Sequence, residues 1–198
     1  MRVVGGRLKG RNLASPSSQE IRPTADRLRE SVFNILVHAY DDPIEGAHKN
    51  GRTYLRPCLE SHSPLDLVIV MLGTNDLKIR FGAPASEVAM GVSVLVHDIR
   101  ELATRRNGAQ SEIMIVSPPP MLDDMKEWGS VFAGASEKSH RLALEFERLA
   151  DSLECHFFDA GAVARSHEDD GVHLGSDAHR ALGQALAQEV EAIGWMDV

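Results

Sequence analysis

Leu65-Asp66-Leu67-Val68-Ile69-Val70-Met71-Leu72 runs without a break into Gly73-Thr74-Asn75-Asp76. Eight mostly aliphatic residues with almost no polar alternation describe a strand buried on both faces, as in a parallel sheet. The four turn-prone residues that follow then sit at the carboxyl end of that strand. In open α/β sheets this end faces the crevice in which ligands bind, with loops held by a rigid scaffold. Asn75 is thus placed either to close the turn or to act, since its carboxamide carries two N–H donors that can stabilise a developing oxyanion.

Moving outward toward the C-terminus, the pattern is regular. A short helical stretch, Tyr54 to His62, is entered from the turn Asn50-Gly51 and precedes the strand. Ser86 is expected to cap a long helix carrying Val88, Val92, Leu95, Val96, Ile99 and Leu102 on one face, closed by Asn107-Gly108. Glu112-Ile113-Met114-Ile115-Val116 is a second buried strand, stopped by Ser117 and three prolines. Ser136 or Ser139 caps the next helix, with Leu142, Phe146, Leu149 and Leu153 in register. Cys155 to Asp159 is a third strand, and Ser176 to Ile193 a final helix bearing Leu182, Leu186, Val190 and Ile193. Strands alternating with helices predict an α/β fold, a three-layer doubly wound parallel sheet with helices on both faces.

Between the third strand and the last helix lies Ser166-His167-Glu168-Asp169-Asp170-Gly171-Val172-His173-Leu174. Asp170 and His173 are three apart with a glycine between, so a bent loop can bring carboxylate and imidazole together. A histidine titrates near neutrality and can take a proton from a nucleophile, while a carboxylate behind it fixes the tautomer. Two other readings stay open: a solvated polar loop, and a small divalent site made of His167, Asp170 and His173.

Composition bounds the rest. A chain of 198 residues suits one α/β domain with a substantial core. Two cysteines, Cys58 and Cys155, cannot make a disulfide framework, which sets a reducing cytoplasm as the expected compartment. Met1 to Gly6 does not read as a signal peptide, and no apolar run approaches the roughly twenty residues of a membrane span. Charge is unevenly spread. Residues 1–40 hold seven Lys/Arg against three Asp/Glu, a net of +4, which leaves −12 for the remainder of a total of −8.

That basic segment reads as a small hairpin, Arg2 to Leu13, a loop, Ala14 to Ser18, and a helix capped by Thr24 with Leu28, Val32, Ile35, Leu36 and Ala39 on one face. Such a pairing can meet a phosphate backbone, or simply present a solvated polar face. Met1-Arg2-Val3-Val4-Gly5-Gly6-Arg7, Gly10-Arg11 and Ile21-Arg22-Pro23-Thr24-Ala25-Asp26-Arg27-Leu28-Arg29-Glu30-Ser31-Val32-Phe33-Asn34 resemble the start of the small-subunit ribosomal RNA guanine-N2 methyltransferases. The resemblance ends near Tyr40 to Ala47. Neither the Asp-x-Phe-x-Gly-x-Gly loop for S-adenosylmethionine nor the Asn/Asp-Pro-Pro-Tyr motif of that family follows.

The remainder resembles another family. Gly73-Thr74-Asn75-Asp76 and Asp170-Gly171-Val172-His173 are similar to blocks III and V of the SGNH, or GDSL-like, hydrolases, with further likeness at Ser63 to Ile69, Ser117 to Pro120 and Phe157 to Gly161. The bacterial arylesterase and acyltransferase branch is the nearest. The resemblance implies a flavodoxin-like SGNH fold acting on small acyl esters without a cofactor or metal. It implies that Asn75 donates to an oxyanion hole, His173 is the general base and Asp170 orients it. Trp128 and Phe132 fall where that branch lines its acyl channel, although core packing or contact in a homo-oligomer would explain both equally.

One departure stands out: the Gly-Asp-Ser turn that supplies the family's nucleophile occurs nowhere in the chain. Gly175-Ser176-Asp177 has the letters in another order, and Ser176 reads as a helix cap. The expected organisation is therefore chimeric. Residues 1–43 form a methyltransferase-like hairpin and helix, and residues 44–198 an SGNH-like domain lacking its first two strands, joined between Tyr40 and His48. Two functions follow as expectations: an ester hydrolase of weak or no activity, or a non-catalytic module touching RNA through residues 1–40.

Overall fold

The computed structural model describes residues 52–193. The basic hairpin, the Thr24 helix, the Asn50-Gly51 turn and the join near residues 40–48 lie outside the described residues. The order is α1 (Arg52–His62), β1 (Leu67–Met71), α2 (Ala85–Leu102), β2 (Glu112–Ser117), α3 (Ala135–Ser152), β3 (His156–Asp159) and α4 (Ser176–Ala192). The three described strands form one parallel sheet in the order β1-β2-β3. Val68 pairs with Ile113 and Val70 with Ile115, while Ile115 pairs with Phe157. No helix among the described residues is long and apolar enough to cross a membrane.

Alternation along each strand explains the layers, because successive side chains of a strand point to opposite faces. Val68, Val70, Ile113 and Ile115 enter one core with Leu55 and Leu59 of α1, Val92, Val96 and Ile99 of α2, and Leu142 and Phe146 of α3. Leu67, Ile69, Met114 and Val116 enter the other, covered by Leu182, Val190 and Ile193 at the end of α4. Both faces are thereby buried, as the unbroken aliphatic runs require.

Helix ends differ from expectation in a consistent way. α2 begins at Ala85 after Pro84, so Ser86 lies inside the first turn instead of capping it, and the helix stops at Leu102. Asn107-Gly108 serves a different purpose: it turns a small antiparallel loop in which Thr104 bridges Gln110. α3 follows Gly134 in the left-handed region, and α4 follows Gly175, neither with a side-chain cap. Ser136 and Ser139 instead hold the preceding loop. The Ser139 hydroxyl accepts from the Met121 N–H at 2.9 Å and the Ser136 hydroxyl donates to Asp123 Oδ1 at 2.6 Å. A hydroxyl that can reach a distant loop amide is not available to its own helix terminus.

Candidate active site

The carboxyl ends of β1 and β2 and the loop before α4 meet at a cleft of about 400 Å³. At the end of β1, Gly73 takes φ +117°, and a side chain there would press on Phe146 Cζ and Val88 Cγ1, both 3.2 Å from the position of a Cβ. Glycine is therefore required by conformation and by space. The chain then winds through a short 3₁₀ turn, Asn75–Leu77, anchored by the fully buried Leu77. Thr74, Asn75 and Lys78 line the cleft, and Lys78 is itself buried.

At the end of β2 the Ser117 hydroxyl donates to Asp159 Oδ1 at 2.9 Å, and the same oxygen accepts from the Gly161 N–H at 2.9 Å. One carboxylate oxygen thus ties the ends of β2 and β3 together. Pro118 and Pro119 continue into the cleft wall. The other wall is aromatic. Phe132 is buried in the core, and Trp128 packs against it with ring centroids 6.4 Å apart and planes at 59°. The core reading of Phe132 and the channel reading of both rings are compatible, since each also lines the cleft.

Beyond β3 the segment Ser166 to Leu174 closes on itself through an antiparallel bridge between its ends. Asp170 organises it. Its Oδ1 accepts from the N–H groups of Val172, at 2.8 Å, and His173, at 2.9 Å, while Oδ2 lies 2.6 Å from His173 Nδ1. The carboxylate is 21% exposed and the imidazole 65%. The edge of Trp128 meets the His173 ring at 5.8 Å between centroids. Two further bonds pin the loop from outside: the Ser166 hydroxyl donates to Pro120 O at 2.9 Å, and the Leu122 N–H donates to Gly171 O at 2.9 Å. Gly171, at φ +71°, backs onto this neighbour so closely that a Cβ would lie 2.5 Å from Asp124 O.

Burial alone would raise the Asp170 carboxyl. The amides of Val172 and His173 and the His173 imidazole outweigh it and bring the group down to about 2. A carboxylate depressed in the folded state stabilises the fold above its ordinary range near 3.8, and that contribution fades as pH falls toward 2. Asp170→Asn is accordingly expected to be about 2 kcal/mol less stable than the parent at pH 6, with the gap closing in acid. Urea midpoints of the two proteins between pH 6 and pH 3 measure it; a gap that stays constant over that range would contradict the assignment.

The proposed divalent set does not assemble. His167 turns away to Asp169, with Nδ1 3.2 Å from Asp169 Oδ2, while His173 turns to Asp170. Among the described residues no three His, Cys, Asp or Glu side chains form a cluster that could hold a metal ion. Ser176 is exposed at the start of α4 and makes no side-chain cap. Among the described residues no hydroxyl or thiol is hydrogen-bonded to the His173 imidazole. Two buried hydroxyls, Ser117 and Ser166, are committed to Asp159 and to the carbonyls of Pro120 and Val172. Sequence reasoning passed over Lys78 and His179, which also line the cleft. The signal for both was proximity to a motif: Lys78 is three residues past Asn75, and His179 lies in the first turn of the helix after His173.

Comparison with known proteins accords with this geometry. Residues 22–181 match the GDSL-like Lipase/Acylhydrolase family. The aryl esterase of M. smegmatis is 37% identical, with a TM-score of 0.74 over 80% of this chain and 75% of that one. A carbohydrate acetylesterase family member from Sinorhizobium meliloti is 38% identical, with a TM-score of 0.74 over 80% and 76%. A second likeness is of another kind. Ribosomal RNA small subunit methyltransferase D of Escherichia coli (strain K12) is 32% identical over 108 residues, 54% of this chain and 46% of that protein, so the chain spans less than half the length of this curated relative. Since each likeness takes in more than half of the chain, the two overlap. A family match over residues 22–181, together with esterases of more than a third identity that share the fold along most of their length, establishes that this chain belongs to the GDSL-like Lipase/Acylhydrolase family.

Proposed function

We propose that the protein is a carboxylic-ester hydrolase of the SGNH type, arylesterase- or acyltransferase-like, in which the proton-handling half of the machinery is retained and the serine nucleophile is missing. The observation that carries this reading is the 2.6 Å contact between His173 Nδ1 and Asp170 Oδ2, with the imidazole at the edge of a cleft walled by Trp128 and Phe132. In this reading His173 is the general base, Asp170 fixes its tautomer, Asn75 donates to the oxyanion, and the two aromatic rings receive the acyl group of a small ester.

Without a serine, water is the nucleophile. Its oxygen bonds to the carbonyl carbon as its proton passes to His173 Nε2, and the oxyanion takes an N–H from Asn75. Collapse breaks the bond to the alcohol oxygen, which recovers the proton from the imidazolium. Each step is open to this pair, but water held only by the base is a poor substitute for a positioned hydroxyl. Weak or absent turnover follows.

The test is covalent labelling. A fluorophosphonate probe, which needs an activated serine, is expected to leave the protein unmodified while labelling a serine esterase run alongside. Stoichiometric labelling lost in His173→Ala would overturn the proposal.

The second reading, a non-catalytic module contacting RNA through residues 1–40, is favoured by the likeness to the ribosomal RNA methyltransferase and by Arg22, Arg27 and Arg29; the domains are then residues 1–43 and the hydrolase-like 44–198. It requires salt-dependent RNA binding that disappears when residues 1–40 are removed.

A further inference from the structure

His167 is the residue of the 166–174 loop that the hydrolase reading leaves without a task. Its backbone closes the loop at both ends. The His167 N–H donates to His173 O at 2.7 Å, and His167 O accepts from the Gly171 N–H at 2.7 Å. Its side chain is as firmly placed. In its unprotonated form Nδ1 accepts from the Asp169 N–H at 3.3 Å, an arrangement equivalent to the turn that an asparagine makes with the amide two residues on, and the Asp169 carboxylate lies 3.2 Å from the same nitrogen. The ring meanwhile lies over Gly175, where any Cβ would overlap its Cδ2 atom. His167 is thus joined to both flanks of the Asp170–His173 pair: to the turn that presents the carboxylate, and to the strand end and helix start that follow the imidazole.

We propose that His167 is a positioning residue, whose side chain, seated on Gly175 and bonded to the Asp169 amide, holds the loop in the one conformation that keeps the His173 imidazole on the Asp170 carboxylate. The inference rests on reading that pair as the proton-handling group. It explains the glycine at 175 by the ring that covers it. It also explains why a half-exposed histidine sits there at all: an imidazole offers both an acceptor for a near amide and a flat face for a close backbone, and a smaller polar residue offers only the first.

Side-chain ¹⁵N–¹H spectra test the proposal, because the two imidazole tautomers have distinct nitrogen shifts and the signal of His173 is assigned by its loss in His173→Gln. In the parent protein His173 is expected to carry its proton on Nδ1, held by Asp170. His167→Ala is expected to lose that preference, with Nε2–H becoming the major form, and Gly175→Ala, which drives the ring off its seat, to give the same loss. His167→Asn, which restores the acceptor to the Asp169 amide, is expected to recover Nδ1–H in the larger part of the molecules. Circular dichroism of each variant, unchanged in helix content, separates loss of position from loss of fold. Retention of the Nδ1–H tautomer in both His167→Ala and Gly175→Ala would overturn the proposal. Ester hydrolysis indifferent to His173→Ala is a different failure: it would sink the reading of the pair as proton-handling and leave the tautomer result intact.

Discussion

Purified protein is expected to hydrolyse p-nitrophenyl acetate with a kcat about 10⁶-fold below that of a serine hydrolase with a complete triad. Removing the serine from such an enzyme leaves only what substrate binding and the oxyanion donors supply, about 10³–10⁴ over the uncatalysed reaction. Under the proposed reading, Asn75 and the aromatic cleft would supply that remainder, and Asp170 and His173 are in contact. The members of a triad act as a unit, so with the hydroxyl gone a further loss is not multiplied in. His173→Ala should therefore lower the residual rate measurably but by less than about tenfold, where in an intact triad it would remove almost all of it. The measurement is a steady-state rate for both proteins at enzyme concentrations high enough to see slow turnover. Turnover at the ordinary rates of enzymes, of the order of 10 per second, abolished by His173→Ala, would mean that a hydroxyl from beyond residues 52–193 rests on the imidazole.

How much of this could be read from residues alone depended on the range of the interactions involved. The strands announced themselves because the part of a strand buried on both faces must be apolar, and Leu67–Met71 and residues 113–116 are. The Asp170–His173 pair was legible because its parts are three residues apart, with a glycine at φ +71° to bend between them. Helix starts were misjudged because α2 begins one residue before Ser86, and because Ser136 and Ser139, good caps in isolation, are not isolated. The hydroxyls of Ser136 and Ser139 are taken by the loop at 121–123, about fifteen residues away.

What holds the site in place was illegible for the same reason. The Ser166 bond to Pro120 spans 46 residues, as does the Ser111 bond to Leu65, and nothing in either local sequence marks the partner. His167 shows the limit of spacing most clearly. By residue type and spacing it could join Asp170 and His173 in a divalent set, one of the readings the loop left open; with Gly175 beside it, its ring is turned to Asp169 instead. A metal site needs directions as well as ligands, and spacing supplies only the ligands.

Phe146→Ala is expected to destabilise the protein by about 3–5 kcal/mol, a large share of the whole stability of a domain. Phe146 is fully buried on α3, in the core between the sheet and the three helices of that face. Removing its ring costs the transfer of an aromatic group and leaves a cavity that Leu142, Val88 and Leu77, each packed by its own element, cannot close. The loss reaches the cleft as well. The ring end lies against Gly73, the residue at which β1 turns into the Asn75 loop, so the cavity opens under the backbone that positions Asn75. Leu144→Ala, two residues earlier on the same helix but 48% exposed, controls for helix propensity and should change stability by about 0.5 kcal/mol or less. Guanidinium midpoints of the three proteins decide the matter. If the two variants lose equal stability, Phe146 does not pack as described, and the route from the α3 core through Gly73 to the cleft fails with it.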